Sequence, residues 1–207
     1  MKTWIVYAIG FLAQLLFSSR IVLQWIISEK HKKVLTPNLF WKISLAASVL
    51  LFIYGYLRDD FPIMLGQVIT YYIYIRNIQL EHEWEKIHKW LRIFLYLFPT
   101  IILIYGYNNN IINREILFNK EHIPTFLMIL GVVAQVLFTL RFVYQWIYSE
   151  RRKESMLPLG FWVISLAGSS LIFIYAIFRK DPVLFLAHLS GLTIYSRNIY
   201  ILKRYGA

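Results

Sequence analysis

The sequence predicts an all-α membrane protein with seven transmembrane helices in a 3+1+3 parallel repeat, N-terminus outside and C-terminus cytoplasmic. Three observations predict it. Of 207 residues, 58% are hydrophobic and 18% aromatic, and the mean hydropathy is +0.54. A soluble domain of this length cannot enclose that much apolar surface. Polar punctuation then cuts the chain into seven apolar runs. They are continuous rather than alternating, which selects helices over a closed barrel, the other structure that satisfies its backbone in hydrocarbon. Finally, one phrase is written twice: RIVLQWIISEK at 20–30 and RFVYQWIYSER at 141–151.

The runs cover 4–28, 38–57, 62–80, 90–107, 124–148, 159–178 and 183–202. Each has about 18–25 residues, enough to cross a ~30 Å hydrocarbon core at about 1.5 Å per residue. The first run lacks a basic leading segment and a small-residue cleavage site, so it reads as a retained span. Pro37, Pro62, Pro124, Pro158 and Pro182 stand at or beside segment starts, where a missing N–H costs nothing. Pro99 lies inside the fourth run and predicts a kink. The longest loop, NNNIINREILFNKEHI, has room for an interfacial turn of helix.

Laying residues 10–80 on 131–201 without gaps gives 33 identities in 71 positions, where chance in apolar sequence gives roughly 10–15%. The shared residues are not merely aliphatic. Gln14, Arg20, Gln24, Trp25, Ser28, Glu29, Trp41, Ser44, Tyr54, Tyr74, Arg76 and Asn77 all recur. The division is therefore 1–80 for a first triple-helix repeat, 81–123 for a linker helix and loop, and 124–207 for a second repeat. Three spans reverse the chain's side and the linker helix reverses it again, so both repeats enter the membrane in the same sense. One side holds ten cations (Lys30, Lys32, Lys33, Lys86, Lys89, Arg151, Arg152, Lys153, Lys203, Arg204). The other holds six (Lys2, Arg58, Arg114, Lys120, Arg179, Lys180), which makes the first side cytoplasmic. The net charge of +11 thus reads as a topology signal with attraction to anionic headgroups, not as a nucleic-acid surface.

Arginines inside apolar runs need a reason. Arg20 lies ~24 Å and Arg76 ~21 Å down a ~30 Å slab, and Arg141 and Arg197 repeat those depths. If the triplets share an axis, four guanidinium groups stand near one level. Arg20 and Gln24 share a helix face, as do Arg141 and Gln145. Gln67, Thr70, Tyr74 and Asn77 form a polar stripe on the third run, matched by His188, Gly191, Tyr195 and Asn198 in the second repeat. Adjacent Arg76 and Asn77 point about 100° apart, so one faces a cavity while the other packs on a neighbour. Any single arginine would more often snorkel to headgroups or pair with Glu29, Glu150 or a carbonyl. Four together, with amide companions, suit a polar cavity for an anion, since guanidinium grips phosphate in a bidentate fork and amides orient sugar or pyrophosphate oxygens.

Other groups take blander readings. Trp25, Trp41, Trp146 and Trp162 read as membrane-belt anchors. Asp60 and Asp181 read as N-caps. His188 reads as a neutral interior histidine. Ser44, Ser48, Ser165, Gly168 and Ser169 read as small residues that let helices approach. There is no cysteine, so disulfides and thiolate metal sites are excluded. No HExxH, GxSxG, glycine-rich phosphate loop or paired His spacing occurs, and neither a metal, a cofactor nor an enzymatic activity is expected.

The words RFVYQWIYSE, P-x-x-F-W-x-x-S-L-x-G, YAIFRKDPV and IYSRN resemble the lipid-A biosynthesis N-terminal domain family, the lipid-A-disaccharide synthase N-terminal-like domain. The first repeat carries them more loosely, so the resemblance covers nearly the whole chain except the fourth run. That domain is similar to the triplets of the SWEET and PQ-loop transporters. The resemblance implies a 3+1+3 fold with a substrate path, and places Asn77 and Asn198 where an Asn of the SWEET relatives contacts sugar. The Pro-Gln dipeptide of the PQ-loop group is absent, since Gln14 and Gln135 each follow Ala. A glycosyltransferase domain is absent too, so the synthase activity is not carried over.

The expected function is a transporter or flippase, in a bacterial inner membrane, for an anionic lipid-linked sugar or polyprenyl phosphate of envelope glycolipid synthesis. Its expected substrate-binding residues are Arg20, Gln24, Gln67, Tyr74, Arg76, Asn77, Arg141, Gln145, His188, Tyr195, Arg197 and Asn198. Two alternatives stand beside it: a SWEET-like carrier of a small neutral sugar, and a non-catalytic membrane subunit that positions a glycosyltransferase.

Overall fold

A computed structural model describes residues 3–57, 61–108, 124–180 and 182–205. Among them the chain forms seven long helices: α1 (Thr3–His31), α2 (Asn38–Leu57), α3 (Phe61–Leu80), α4 (Lys89–Asn108), α5 (Thr125–Arg152), α6 (Leu159–Arg179) and α7 (Pro182–Tyr205). A single 3-10 turn, Trp84–Lys86, precedes α4. The seven apolar runs of the sequence are these seven helices, and α4 continues through Pro99. Four of them, α1, α2, α5 and α6, are long and apolar enough to cross a membrane by length and composition. The proposed caps Asp60 and Asp181 and the loop 108–123, apart from Asn108 at the end of α4, lie outside the described residues.

Long apolar faces stay exposed, as lipid-facing helices require. Trp4, Phe11 and Leu15 on α1, Trp90, Phe94, Leu97 and Ile101 on α4, and Phe126, Ile129 and Val136 on α5 are all half exposed or more. Polar side chains point the other way. Ser28, Ser44, Ser48, Ser149, Ser165, Ser169, Gln24, Gln145, Asn77 and Asn198 are all fully buried.

The chain divides into two compact units: Met1–Arg20 with Trp41–Glu121, and Ile21–Phe40 with His122–Ala207. The sequence placed all of 1–80 in one repeat. The second half of α1 and its following loop lie in the second unit, where Gln24 and Glu29 bond to side chains on α7.

In the first unit, Gly10 admits Tyr54: a Cβ there would lie 2.7 Å from the ring. The Tyr71 hydroxyl donates to the Leu95 carbonyl at 2.8 Å and Tyr72 to that of Tyr96 at 3.1 Å, fastening α3 to α4. Phe98 stacks on Tyr71 and meets Phe52 edge-on. Below them Glu83 accepts from Lys42 at 2.8 Å and Lys86 at 2.5 Å. Lys42, then Lys86, draws the Glu83 carboxyl from its ordinary 4.5 down to about 2. A folded value below the unfolded one means stability present above pH 4.5 and lost as pH falls toward 2. The melting gap between wild type and Glu83→Gln in detergent should therefore be constant above pH 5 and shrink steadily between roughly pH 4.5 and 2.

In the second unit, small residues bring α5 and α6 together. A Cβ on Gly131 would meet Tyr175 at 3.2 Å, repeating the Gly10–Tyr54 contact, and one on Gly168 would meet the Phe138 backbone at 3.1 Å. Phe142 and Phe161 meet edge-to-face, and Phe173 lies against Phe185 of α7. Both repeats close their first turn by the same staple. Gln24 Nε2 donates to Ser28 Oγ at 2.8 Å, and Ser28 Oγ accepts the Leu35 N–H at 3.0 Å. Gln145, Ser149 and Met156 repeat this at 2.8 and 3.1 Å.

Two of the four expected belt tryptophans are core residues instead. Trp41 and Trp162 are 0% and 1% exposed, each 6.0 Å from the ring of Tyr74 or Tyr195. Their helix face, shared with Ser44 or Ser165, turns inward. Trp146 does reach the surface.

Candidate functional site

Among the described residues, each unit buries one arginine. In the first, Arg20 is 3% exposed; its Nη1 donates to Ser44 Oγ, and its guanidinium lies over the rings of Phe17 at 4.7 Å and Tyr74 at 5.3 Å. In the second, Arg141 is 4% exposed and donates from Nη1 to the Tyr195 hydroxyl at 3.1 Å. Its guanidinium sits 3.4 Å from the centroid of Phe138, with Phe142 at 4.7 Å and Phe161 at 5.6 Å. The spacing explains the placement. Three residues before each arginine stands a phenylalanine on the same helix face, and Tyr74 or Tyr195 comes from the third helix of the repeat. Ring faces are the one apolar surface that attracts a desolvated cation, by roughly 2 kcal/mol or more.

The other two arginines take a different place. Arg197 donates from Nε and Nη2 to the two carboxylate oxygens of Glu29, at 2.8 and 2.7 Å, and its side chain is 38% exposed. Arg76 donates from Nη1 to Gln79 Oε1 at 3.2 Å. The pairing with Glu29 is the ordinary fate of an arginine near a helix end.

The adjacent asparagines turn inward. Asn198 Oδ1 accepts from Gln24 Nε2 at 2.9 Å, and its Nδ2 donates to the Ile194 carbonyl at 2.9 Å. Asn77 Nδ2 donates to the Ile73 carbonyl at 2.8 Å. Gln24 and Gln145 hold loop backbone as well: Gln24 reaches the Leu35 carbonyl at 3.3 Å and Gln145 that of Met156 at 3.0 Å. His188 Nδ1 lies 2.9 Å from Ser169 Oγ, and Phe138 meets its ring edge-on. Gln67, its counterpart, has a buried Oε1 with no hydrogen-bond partner among the described residues.

The structure thus gathers Arg141, Tyr195 and, through Phe138, His188 in one unit, and Arg20 with Tyr74 in the other. Ser44 and Ser169 join these sets as polar partners that a reading of small residues alone passed over. Each recurs in the other repeat, Ser44 as Ser165 and Ser169 as Ser48. Among the described residues no cluster of three or more His, Asp or Glu stands close enough to hold a metal.

Chemically, each set holds a buried guanidinium that donates to a hydroxyl and is walled by aromatic rings. That arrangement attracts an anion.

The family model described as the lipid A biosynthesis N-terminal domain matches residues 9–79 and again 130–200. A lipid-A-disaccharide synthase of Chlamydia pneumoniae is 30% identical over 194 residues, covering 91% of this chain and 32% of that protein. One of Chlamydia felis is 29% identical over 214 residues, covering 97% and 33%. One of Chlamydia trachomatis serovar D is 26% identical over 207 residues, covering 96% and 34%. The chain spans about a third of the length of these curated relatives. No solved structure matches.

Proposed function

Because the chain belongs to the lipid A biosynthesis N-terminal domain family, we propose that it is a non-catalytic inner-membrane carrier for an anionic lipid-linked sugar or polyprenyl phosphate of envelope glycolipid synthesis. Its two repeats cross the bilayer in the same sense, three spans each around a single linker span, with the N-terminus outside. The observation that carries this reading is the pair of buried guanidinium groups. Arg20 and Arg141 are 3% and 4% exposed in helices rich in apolar residues, and taking a guanidinium out of water costs several kcal/mol. A fold that needed only packing would put an aliphatic side chain there. A cation kept at that cost, and kept in both repeats, serves a negatively charged visitor such as a phosphate, which guanidinium receives in a bidentate fork.

The relatives support a second reading. They are named synthases and the region matched here is about a third of their length, which suits a membrane part that positions a glycosyltransferase. Reconstitution separates the two. Purified protein in proteoliposomes should move a labelled polyprenyl-phosphate sugar between leaflets, and Arg141→Gln should slow that movement by at least about tenfold, the loss of one charge-assisted contact. No movement, together with a glycosyltransferase that copurifies in mild detergent, would replace the carrier with the subunit.

A further inference from the structure

The second unit holds a two-tier polar contact between α1 and α7. The outer tier is ionic. Arg197 grips Glu29 through two N–H groups at 2.8 and 2.7 Å, and Lys32 adds a third donor to the same carboxylate at 2.7 Å. The side chains of Glu29 and Arg197 are 31% and 38% exposed, so water and salt reach them. The inner tier is neutral: Gln24 Nε2 donates to Asn198 Oδ1 at 2.9 Å, and both residues are fully buried. The tiers are built from two short words, Q-W-I-I-S-E on α1 and R-N on α7, each supplying one charged group and one amide.

We propose that Glu29 and Arg197 form an openable latch over the Gln24–Asn198 amide pair, released when a phosphate-bearing headgroup takes the place of the Glu29 carboxylate on Arg197. The chemistry is an exchange of like for like. Carboxylate and phosphate both accept two parallel N–H bonds from guanidinium, and phosphate carries the greater charge. An ion pair a third exposed is reached by water and screened by salt, so a competing anion exchanges onto Arg197 without first entering a dry interior. The buried amide pair behind it is not screened and gives the closed state its register. The rest of the corner is rigid, since Ser28 Oγ clamps the Leu35 N–H at 3.0 Å and the Gln24 amide reaches the Leu35 carbonyl at 3.3 Å. Release is therefore confined to the seam between α1 and α7. Around the latch stand Lys32 on the α1 side and the ring of Tyr200, 4.9 Å from the Arg197 guanidinium. Once Glu29 lets go, the excess charge at the seam is positive. The latch rests on the carrier reading for its purpose, but not for its existence.

The chain has no cysteine, so a single reporter labels without background. Ile201, fully buried on α7 one turn beyond Arg197, is the reporter as Ile201→Cys, in the full chain in detergent, labelled with a water-soluble maleimide. On this background Glu29→Arg alone and Arg197→Glu alone should each raise the labelling rate by about five- to tenfold, and the double reversal should return it to within about twofold of the parent. Thermal unfolding of the double reversal near the parent's value guards against simple misfolding. Adding a polyprenyl phosphate to the parent should also speed labelling, while phosphatidylcholine should not. Equal labelling in all charge variants overturns the latch, whatever the protein carries. Labelling that responds to charge reversal but not to the polyprenyl phosphate overturns the phosphate trigger and counts against the carrier reading.

Discussion

Arg141→Met should leave the protein about as stable as wild type, within roughly 1 kcal/mol, while lowering its affinity for phosphate-bearing lipid by about 10- to 100-fold. The two effects have separate origins. Burying the Arg141 guanidinium is opposed by desolvation, and among the contacts that favour it are the rings of Phe138, Phe142 and Phe161 and a bond to Tyr195. A flexible thioether fills the same space among those rings and removes the desolvation cost, so stability changes little. No neutral side chain replaces the fork that phosphate needs. Thermal unfolding and lipid retention, measured on the same preparation, check both halves. A large fall in melting temperature with unchanged lipid binding would make the guanidinium a structural cation.

Asn198→Ala should do the reverse and cost about 2–3 kcal/mol of stability, or roughly 5–10 °C of melting temperature for a chain of this size. The side chain is fully buried and uses both ends of its amide, accepting from Gln24 and donating to the Ile194 carbonyl. Alanine removes an acceptor from a buried donor and leaves a small void, and helix propensity recovers only a few tenths of a kcal/mol. Asn198→Asp keeps the acceptor but buries a carboxylate beside it, so it should be no better. A thermal scan in mild detergent decides. If Asn198→Ala melts within about 2 °C of wild type, the inner amide pair does not hold α1 to α7.

The helices were legible because lipid imposes a single length scale on the sequence. Every apolar run of about 20 residues became one helix, and the ends moved by only a few residues. The repeat was legible because its identities fall on polar and aromatic positions, where chance agreement is rare. The two kinds of arginine were not separable in the same way. Arg20 and Arg197 sit at similar computed depths, yet one is enclosed by rings and the other is paired with a carboxylate 168 residues away in the chain. Helix periodicity gives a face and a depth, but not which neighbour covers that face. Trp41 and Trp162 show the same gap, since a tryptophan near a helix end fits a membrane belt and a core equally well until the neighbouring helix is placed. The staple formed by Gln24, Ser28 and the Leu35 N–H could have been found. Gln and Ser recur four residues apart just before both first turns, which is the spacing of side chains that meet on a helix.

On the carrier reading, the buried guanidinium groups of Arg20 and Arg141 receive a phosphate-bearing lipid. Native mass spectrometry of protein extracted in mild detergent reads this out. Wild-type protein should retain a lipid whose mass and fragmentation show a phosphate or pyrophosphate, and the Arg20→Gln, Arg141→Gln double variant should lose it while staying folded. Wild-type protein that carries no such lipid, or the same complement of lipid in the double variant, would contradict it.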